Sequence, residues 1–316
     1  MDLLVAAAGL AILLGAGDML VRGAVGLGLR LGVPALLISL TIVAFGTSAP
    51  ELLIAVQGAL DGAFGIVYGN VVGSNIANVL LVLGIPAIIS RIDSRDCDSL
   101  RNWWMMMGVS VIFILLCWFG PLDWRHGLVL LALIAVMLWD AGRTAMAARA
   151  AGDEDLPEGV EPEDAEQPNW RIALFIVLGL IGLPIGAHLL IDGAKAIARD
   201  FGIAESVIGL TLVAIGTSLP ELATTVAAAI RGRADVAIGN VIGSNLFNLA
   251  AVMGVAAVVT PLPVPDGFLT LDLWVMLATS VILYPFVCAV ARMGRRIGIS
   301  FLAIYALYVL VMIVPS

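Results

Sequence analysis

Two glutamates stand where a charge is expensive. Glu51 follows G-T-S-A-P and Glu221 follows G-T-S-L-P, each inside a long apolar run. Outside residues 150–169 the chain has only one other glutamate, Glu205. An ionisable side chain at membrane depth costs roughly 2.5–3.5 kcal/mol on insertion scales and is a functional candidate by default. The proline before each acid lacks an N–H, and its ring collides with the carbonyl four residues back. The helix is therefore expected to open around Gly46 and Thr47, and again around Gly216 and Thr217. Freed carbonyls in hydrocarbon cost several kcal/mol each unless they line a polar cavity or hold a cation. A packing kink explains one such proline, and a neutral hydrogen-bonded acid explains one such glutamate. Neither explains two copies of the pair in the same phrase.

A second phrase follows at a fixed distance, G-N-V-V-G-S-N-I-A-N at 69–78 and G-N-V-I-G-S-N-L-F-N at 239–248. Ser74 and Asn78 are four apart and share one helical face, as do Ser244 and Asn248. Gly69, Gly73, Gly239 and Gly243 repeat as small-xxx-small, which lets helices approach closely. Helix packing accounts for the glycines but not for the side-chain oxygens beside them. Both halves together supply four carboxylate oxygens, freed carbonyls and Ser, Thr and Asn oxygens, without sulfur or imidazole. That donor set suits a hard cation. Ca²⁺ takes six to eight oxygens in flexible geometry, whereas Mg²⁺ keeps its waters and demands an octahedron. Sodium also accepts carbonyl and hydroxyl oxygens. Cys97, Cys117 and Cys288 are far apart, and His126 and His188 belong to no cluster, which argues against zinc. The serines have no partner base, so nucleophilic catalysis has no support. The reading is not an enzyme, and no prosthetic group is implied.

The elements that must position these groups are membrane helices. Of 316 residues, 61% are hydrophobic and 13% charged, against about 25% charged in soluble proteins. Mean hydropathy is +1.07. Apolar runs predict an all-α integral membrane protein with about ten transmembrane helices, near 2–21, 34–58, 64–90, 102–120, 126–147, 170–192, 204–230, 235–260, 270–291 and 297–315. Residues 1–20 read as the first span rather than a signal peptide. Residues 150–169 carry eight acids and no Lys or Arg, and read as a solvated linker. They divide the chain into a first five-helix repeat at 1–149 and a second at 170–316. Residues 38–85 and 208–255 match at 23 of 48 positions, with Glu221 lying 170 residues after Glu51. Five spans per half is odd, so the second copy must run through the membrane upside down. An inverted repeat with matched Gly/Pro-interrupted segments is the sequence pointer to a secondary transporter.

With the N-terminus outside, thirteen Arg fall on cytoplasmic connections and three basic residues outside. That positive-inside bias puts both termini outside and the acidic linker in the cytoplasm of a plasma or inner membrane. The net charge of −8 is that of the linker, and no basic face suggests nucleic acid. The partners expected are the lipid bilayer and the ions themselves. The oligomeric state is not legible, and a monomer is a workable unit.

The phrases A-F-G-T-S-A-P-E…G-N-V-V-G-S-N-I-A-N and A-I-G-T-S-L-P-E…G-N-V-I-G-S-N-L-F-N resemble the two alpha repeats of the cation/calcium exchanger superfamily, in its prokaryotic sodium/calcium exchanger branch. The likeness covers essentially the whole chain. It implies an alternating-access antiporter that carries Na⁺ against Ca²⁺. Two ionised glutamates holding three Na⁺ would carry +1 and holding one Ca²⁺ would carry zero, so electrogenic exchange that extrudes Ca²⁺ is expected. The likeness also implies that Glu51 and Glu221 share a central Ca²⁺ with the backbone oxygens of Thr47 and Thr217. Flanking sodium sites would use the carbonyls of Ala44 and Ala214 with Ser48, Ser74, Ser218 and Ser244. Asn78 and Asn248 would fill the rest of the central layer. Some members, including potassium-dependent ones, have Asp where Asn248 stands, so K⁺ independence is expected. The proton-exchanger branch reads G-N-x-x-E after its first repeat, against G-N-V-V-G here. An H⁺/Ca²⁺ exchanger using the same glutamates is the first alternative, and a non-transporting membrane subunit the second. Asp18 and His188, at matched positions, read as helix-end hydrogen bonders, and R-N-W-W-M-M-M-G as an interfacial aromatic belt.

Overall fold

The computed structural model describes residues 2–33, 35–93, 99–151, 167–200, 216–288 and 290–313. Among them the backbone is helical, with two isolated bridges in place of strands. The first half holds α1 (Asp2–Leu31), α2 (Ser39–Thr47), α3 (Ala49–Leu60), α4 (Phe64–Ile89), α5 (Leu100–Trp118) and α6 (Trp124–Ala151). The second holds α7 (Asn169–Asp200), α8 (Leu219–Ile230), α9 (Ala234–Val259), α10 (Phe268–Val287) and α11 (Arg295–Ile313). Among the described residues, eight of these are long and apolar enough to cross a membrane. The α2–α3 pair, bent by 49°, makes a ninth. Of the span expected at 204–230, only α8 and the residues just before it are described, and 201–215 lie outside the described residues. The acidic part of the linker, 152–166, lies outside them too. Two boundaries move. The helix expected at 2–21 runs on to Leu31, and the one expected at 170–192 runs on to Asp200. Hydropathy marks only the part in hydrocarbon, and helical bonding continues past it into water.

Burial sorts the helices into an inner and an outer set. Within their best membrane windows, α9 is 83% buried and α4 72%, whereas α7 is 22% and α11 17%. The two G-N-V-x-G-S-N helices are therefore the centre, and the rest wrap them. Glycines set the closest approaches. A Cβ on Gly186 of α7 would lie 2.6 Å from the Leu13 nitrogen and 2.9 Å from the Gly9 oxygen, both on α1. Lipid tails are as apolar as leucine, so close van der Waals contact, rather than exclusion of water, holds such helices together.

The two halves repeat in contacts as well as in letters. Ile92 and Met293 exchange backbone bonds of 2.9 and 3.1 Å, and Leu122 and Leu262 exchange bonds of 3.0 and 2.8 Å. Shifted by 170 or 171 residues, each pair becomes the other. Gly84 against Gly298 and Gly127 against Gly254 match in the same way. Gly62 (φ 70°) and Gly232 (φ 69°) end α3 and α8 with the left-handed residue that such helix ends favour.

Gly186→Ala should lower stability in detergent by about 1–3 kcal/mol through overpacking of α1 on α7. Gly15→Ala, whose Cβ meets nothing within 4 Å, should not. Chemical unfolding of the two purified variants reads the difference, and equal stabilities would mean that the α1–α7 contact is not tight.

Candidate cation site

The break predicted at the prolines is present in both halves. α2 ends at Thr47, Ser48 leaves the helix at φ −86°, ψ 7°, and α3 restarts at Ala49 with Pro50 in its first turn. Ser218 has the same geometry, φ −85°, ψ 3°, before Pro220. Both serines sit at the N-cap position, yet neither side chain caps its helix, so their hydroxyls face elsewhere. Pro50 and Pro220 have no N–H to offer the carbonyls of Gly46 and Gly216. Glu51 and Glu221 fall in the first turn of α3 and α8, where the helix dipole favours an anion. Both are fully buried.

The broken helix of each half packs against the central helix of the other. Thr47 Oγ1 and Ser244 Oγ lie 3.5 Å apart, and Ser74 Oγ and Thr217 Oγ1 lie 3.3 Å apart. These are one contact seen twice through the repeat. Ser48 Oγ donates to Glu221 Oε1 at 3.2 Å, and Thr47 and Ser244 approach the same carboxylate. Ser48 stands three residues before Glu51, so this bond ties the turn carrying Glu51 to the Glu221 carboxylate. The Asn78 amide donates to Asn245 Oδ1 at 3.0 Å.

Several buried polar atoms in this region have no hydrogen-bond partner among the described residues. They are both oxygens of Glu51, Glu221 Oε2, Ser218 Oγ, Asn78 Oδ1 and both amide atoms of Asn248. A buried polar atom left unpaired costs about 1–3 kcal/mol, more when charged. Most of these are oxygens, the atoms that a hard cation seeks. Of the residues expected to act, Glu51, Glu221, Thr47, Thr217, Ser48, Ser218, Ser74, Ser244, Asn78 and Asn248 are at most 9% exposed. The Ala44 carbonyl is buried but engaged, accepting the Ser48 N–H at 3.0 Å and the Thr47 hydroxyl at 3.2 Å. Ala214 lies outside the described residues.

A cavity of about 570 Å³ leads toward this cluster, lined by Pro50, Ile54, His188, Ile191, Thr217 and Pro220 among others. The repeat-matched approach is filled. A Cβ on Gly17 would lie 2.8 Å from the Ala223 backbone, and beyond it Arg231 Nε meets Asp18 Oδ1 at 2.6 Å.

Sequence reasoning missed the groups that hold the two acid-bearing turns in place. Asn70 Nδ2 donates to the Glu51 carbonyl at 3.0 Å, and Asn240 Nδ2 to the Glu221 carbonyl at 3.3 Å. Asn240 also reaches Thr224 Oγ1 at 2.9 Å and Thr225 Oγ1 at 3.1 Å. Asn75 and Asn245 direct their amides toward Met276 and Met106 sulfurs at 3.7 and 3.8 Å. The asparagines were visible as repeated letters, but the four-residue spacing selected only Asn78 and Asn248. Two other readings change. Asp18 and His188 are not at helix ends: Asp18 lies within α1 and pairs with Arg22 and Arg231, and His188 lies within α7 and pairs with Asp192. In R-N-W-W-M-M-M-G only Trp104 has the exposure of a belt residue. Trp103 is buried, donating to the Ser280 carbonyl at 2.8 Å, and Met106 is fully buried.

The sodium/calcium exchanger protein family matches residues 1–140 and 171–314. Putative antiporter CaxA of Alkalimonas amylolytica is 34% identical over 92% of this chain and 88% of its own length. Sodium/calcium exchanger MaX1 of Methanosarcina acetivorans is 31% identical over 96% of each. A solved structure of the sodium-calcium exchanger NCX_Mj, soaked with Na⁺ and Sr²⁺, superposes with a TM-score of 0.81 at 32% identity over 100% of both chains.

Asn240 makes three hydrogen bonds where Asn70 makes one to the matched carbonyl. Asn240→Ala should cost about 1–3 kcal/mol of stability and Asn70→Ala nearer 0.5–1.5 kcal/mol. Denaturant titration of both variants in detergent tests the ranking, and the reverse order would show that Thr224 and Thr225 do not depend on Asn240.

Proposed function

The chain belongs to the sodium/calcium exchanger protein family, and on that premise we propose that it is a secondary antiporter exchanging Na⁺ for Ca²⁺ through one central site. It is an integral, multi-pass membrane protein and not an enzyme. What carries the reading is the set of unpartnered oxygens around two buried carboxylates. Glu51 and Glu221 supply the charge that binds Ca²⁺. The carbonyls of Thr47 and Thr217 and the side chains of Asn78 and Asn248 complete its oxygen shell. Ser48, Ser74, Ser218 and Ser244, with the carbonyls of Ala44 and Ala214, supply flanking neutral ligands for Na⁺. For Ala44 that requires the Thr47 hydroxyl to turn away from the carbonyl it now contacts. Both carboxylates come from one chain, so a monomer contains a whole site.

Charge balance decides the coupling. Two ionised glutamates carry −2, one Ca²⁺ brings the site to zero, and three Na⁺ bring it to +1. A 3:1 cycle moves one positive charge with sodium, worth about 2.3 kcal/mol per 100 mV. With the cytoplasm negative and the N-terminus outside, sodium enters and Ca²⁺ leaves. Asn248 is neutral, so no additional monovalent charge such as K⁺ is called for.

Access alternates because the repeat is inverted. By the arginine bias, the open cavity beside His188 faces outward and the Asp18–Arg231 pair closes the inward path. Shifting by 170 residues turns Asp18 into His188 and Arg231 into Asp61, so the outer path has its own acid–base couple. That couple is apart here. His188 sits 3.2 Å from Asp192, and Asp61 accepts from Gln57 at 3.0 Å. In the inward-open state the contacts exchange.

Reconstituted vesicles test this directly. Ca²⁺ uptake should require Na⁺, proceed without K⁺, and change with a valinomycin-set potential at fixed ion gradients. Glu51→Gln or Glu221→Gln should reduce it by at least about thirtyfold, the effect of losing about 2 kcal/mol of buried charge interaction. Flux that follows pH but ignores Na⁺ and voltage would overturn the sodium reading in favour of proton exchange. Asp18→Asn should make the inner path easier to open, read as faster labelling of a Thr224→Cys variant from the cytoplasmic side. Unchanged labelling would remove the pair from the gate.

A further inference from the structure

We propose that the corner where α4 ends and α11 begins is a binding site for the phosphate headgroup of an anionic phospholipid. A cavity of about 540 Å³ opens there, lined by Arg91, Arg292, Arg295 and Arg296 above Ile88 and Ile297. Arg292 Nε is held by Asp93 Oδ2 at 2.9 Å. Arg91, Arg295 and Arg296 have no carboxylate partner among the described residues, and Arg91, Arg295 and Arg296 are exposed. Guanidinium groups bind phosphate through paired N–H donors, and basic pockets at the ends of membrane helices take lipid headgroups.

The inverted repeat supplies an internal control. The Ile92–Met293 bridge that builds this corner has its counterpart in Leu122–Leu262. At the counterpart, Pro261 stands for Arg91, Pro121 for Arg292 and Trp124 for Arg295, and only Arg125 retains the charge of Arg296. The same backbone corner thus folds without the arginines. A topology signal requires positive charge on cytoplasmic connections. It does not require four guanidiniums to converge on one cavity.

The occupant is a lipid rather than free phosphate because the cavity is amphipathic. Ile89 on the cavity wall and Ile299, one turn along α11, are 56% and 52% exposed, an apolar surface that an acyl chain would cover and an inorganic ion would not. A bound headgroup would tie the end of α4, the helix that carries Ser74 and Asn78, to α11. The inference stands apart from the exchange reading, since it depends only on this corner.

The test is binding to the purified full chain in detergent, read by native mass spectrometry with phosphatidylglycerol, phosphatidylcholine and inorganic phosphate as probes. The wild type should retain phosphatidylglycerol about tenfold more tightly than phosphatidylcholine. Arg295→Gln/Arg296→Gln should remove most of that preference, and Arg143→Gln/Arg171→Gln, which removes equal charge elsewhere on the same face, should keep it. Absence of a preference in the wild type would overturn the proposal without reference to any variant. Equal losses in both double variants would assign the effect to general surface charge. Displacement of the lipid by millimolar phosphate would make this a free-anion site and would also overturn it.

Discussion

Two fully buried carboxylates at the depth of a membrane, on broken helices joined by the Ser48–Glu221 hydrogen bond, are the constraint on which the rest of the structure depends. Ion desolvation there is costly, and like charges raise the cost further. Such a pair is relieved when a proton or a metal cation balances its charge. The proline breaks in both halves strip helical partners from backbone oxygens, the N-cap serines decline to cap, and the central asparagines leave atoms unpaired. Each feature would be a defect in a protein that merely had to fold. Together they gather buried oxygen donors around two carboxylates, the kind of donor set that hard cations take.

Inversion of the repeat explains how one site can serve two sides of a membrane. Each broken helix contacts the central helix of the other half, so the site belongs to neither half alone. The same operation that relates Thr47–Ser244 to Ser74–Thr217 relates the open approach past His188 to the filled approach past Gly17 and Asp18. Identical letters therefore occupy different environments. Ser48 is bonded to Glu221, while its mate Ser218 is free. A protein with two matched halves in unmatched states has the asymmetry that alternating access requires.

Much of this was legible in the sequence because the costly residues are few and repeated. The glutamates, the prolines and the G-S-N phrases stand out against an apolar background, and the four-residue spacing puts Ser74 with Asn78, and Ser244 with Asn248, on one helical face. What periodicity could not tell was which neighbour each polar atom would find. Asn70 and Asn240 are fixed by carbonyls nineteen residues earlier, and Met106 reaches Asn245 across 139 residues. Asp18 meets Arg231 across 213 residues, a contact made by the packing of α1 on α8 and by no local pattern. Hydropathy likewise marked the membrane part of α1 and α7 but not their ends, because helical bonding does not stop where the lipid does.

The most direct test of the central claim is equilibrium binding of radiolabelled Ca²⁺ to the purified protein across a titration of Na⁺. A single site made by Glu51 and Glu221 predicts one Ca²⁺ per chain, displaced by Na⁺ along a sigmoidal curve because more than one sodium replaces each calcium. Saturating Na⁺ should leave no Ca²⁺ bound. Calcium that stays bound whatever the sodium concentration would contradict the account, because the two ions would then not share the carboxylates.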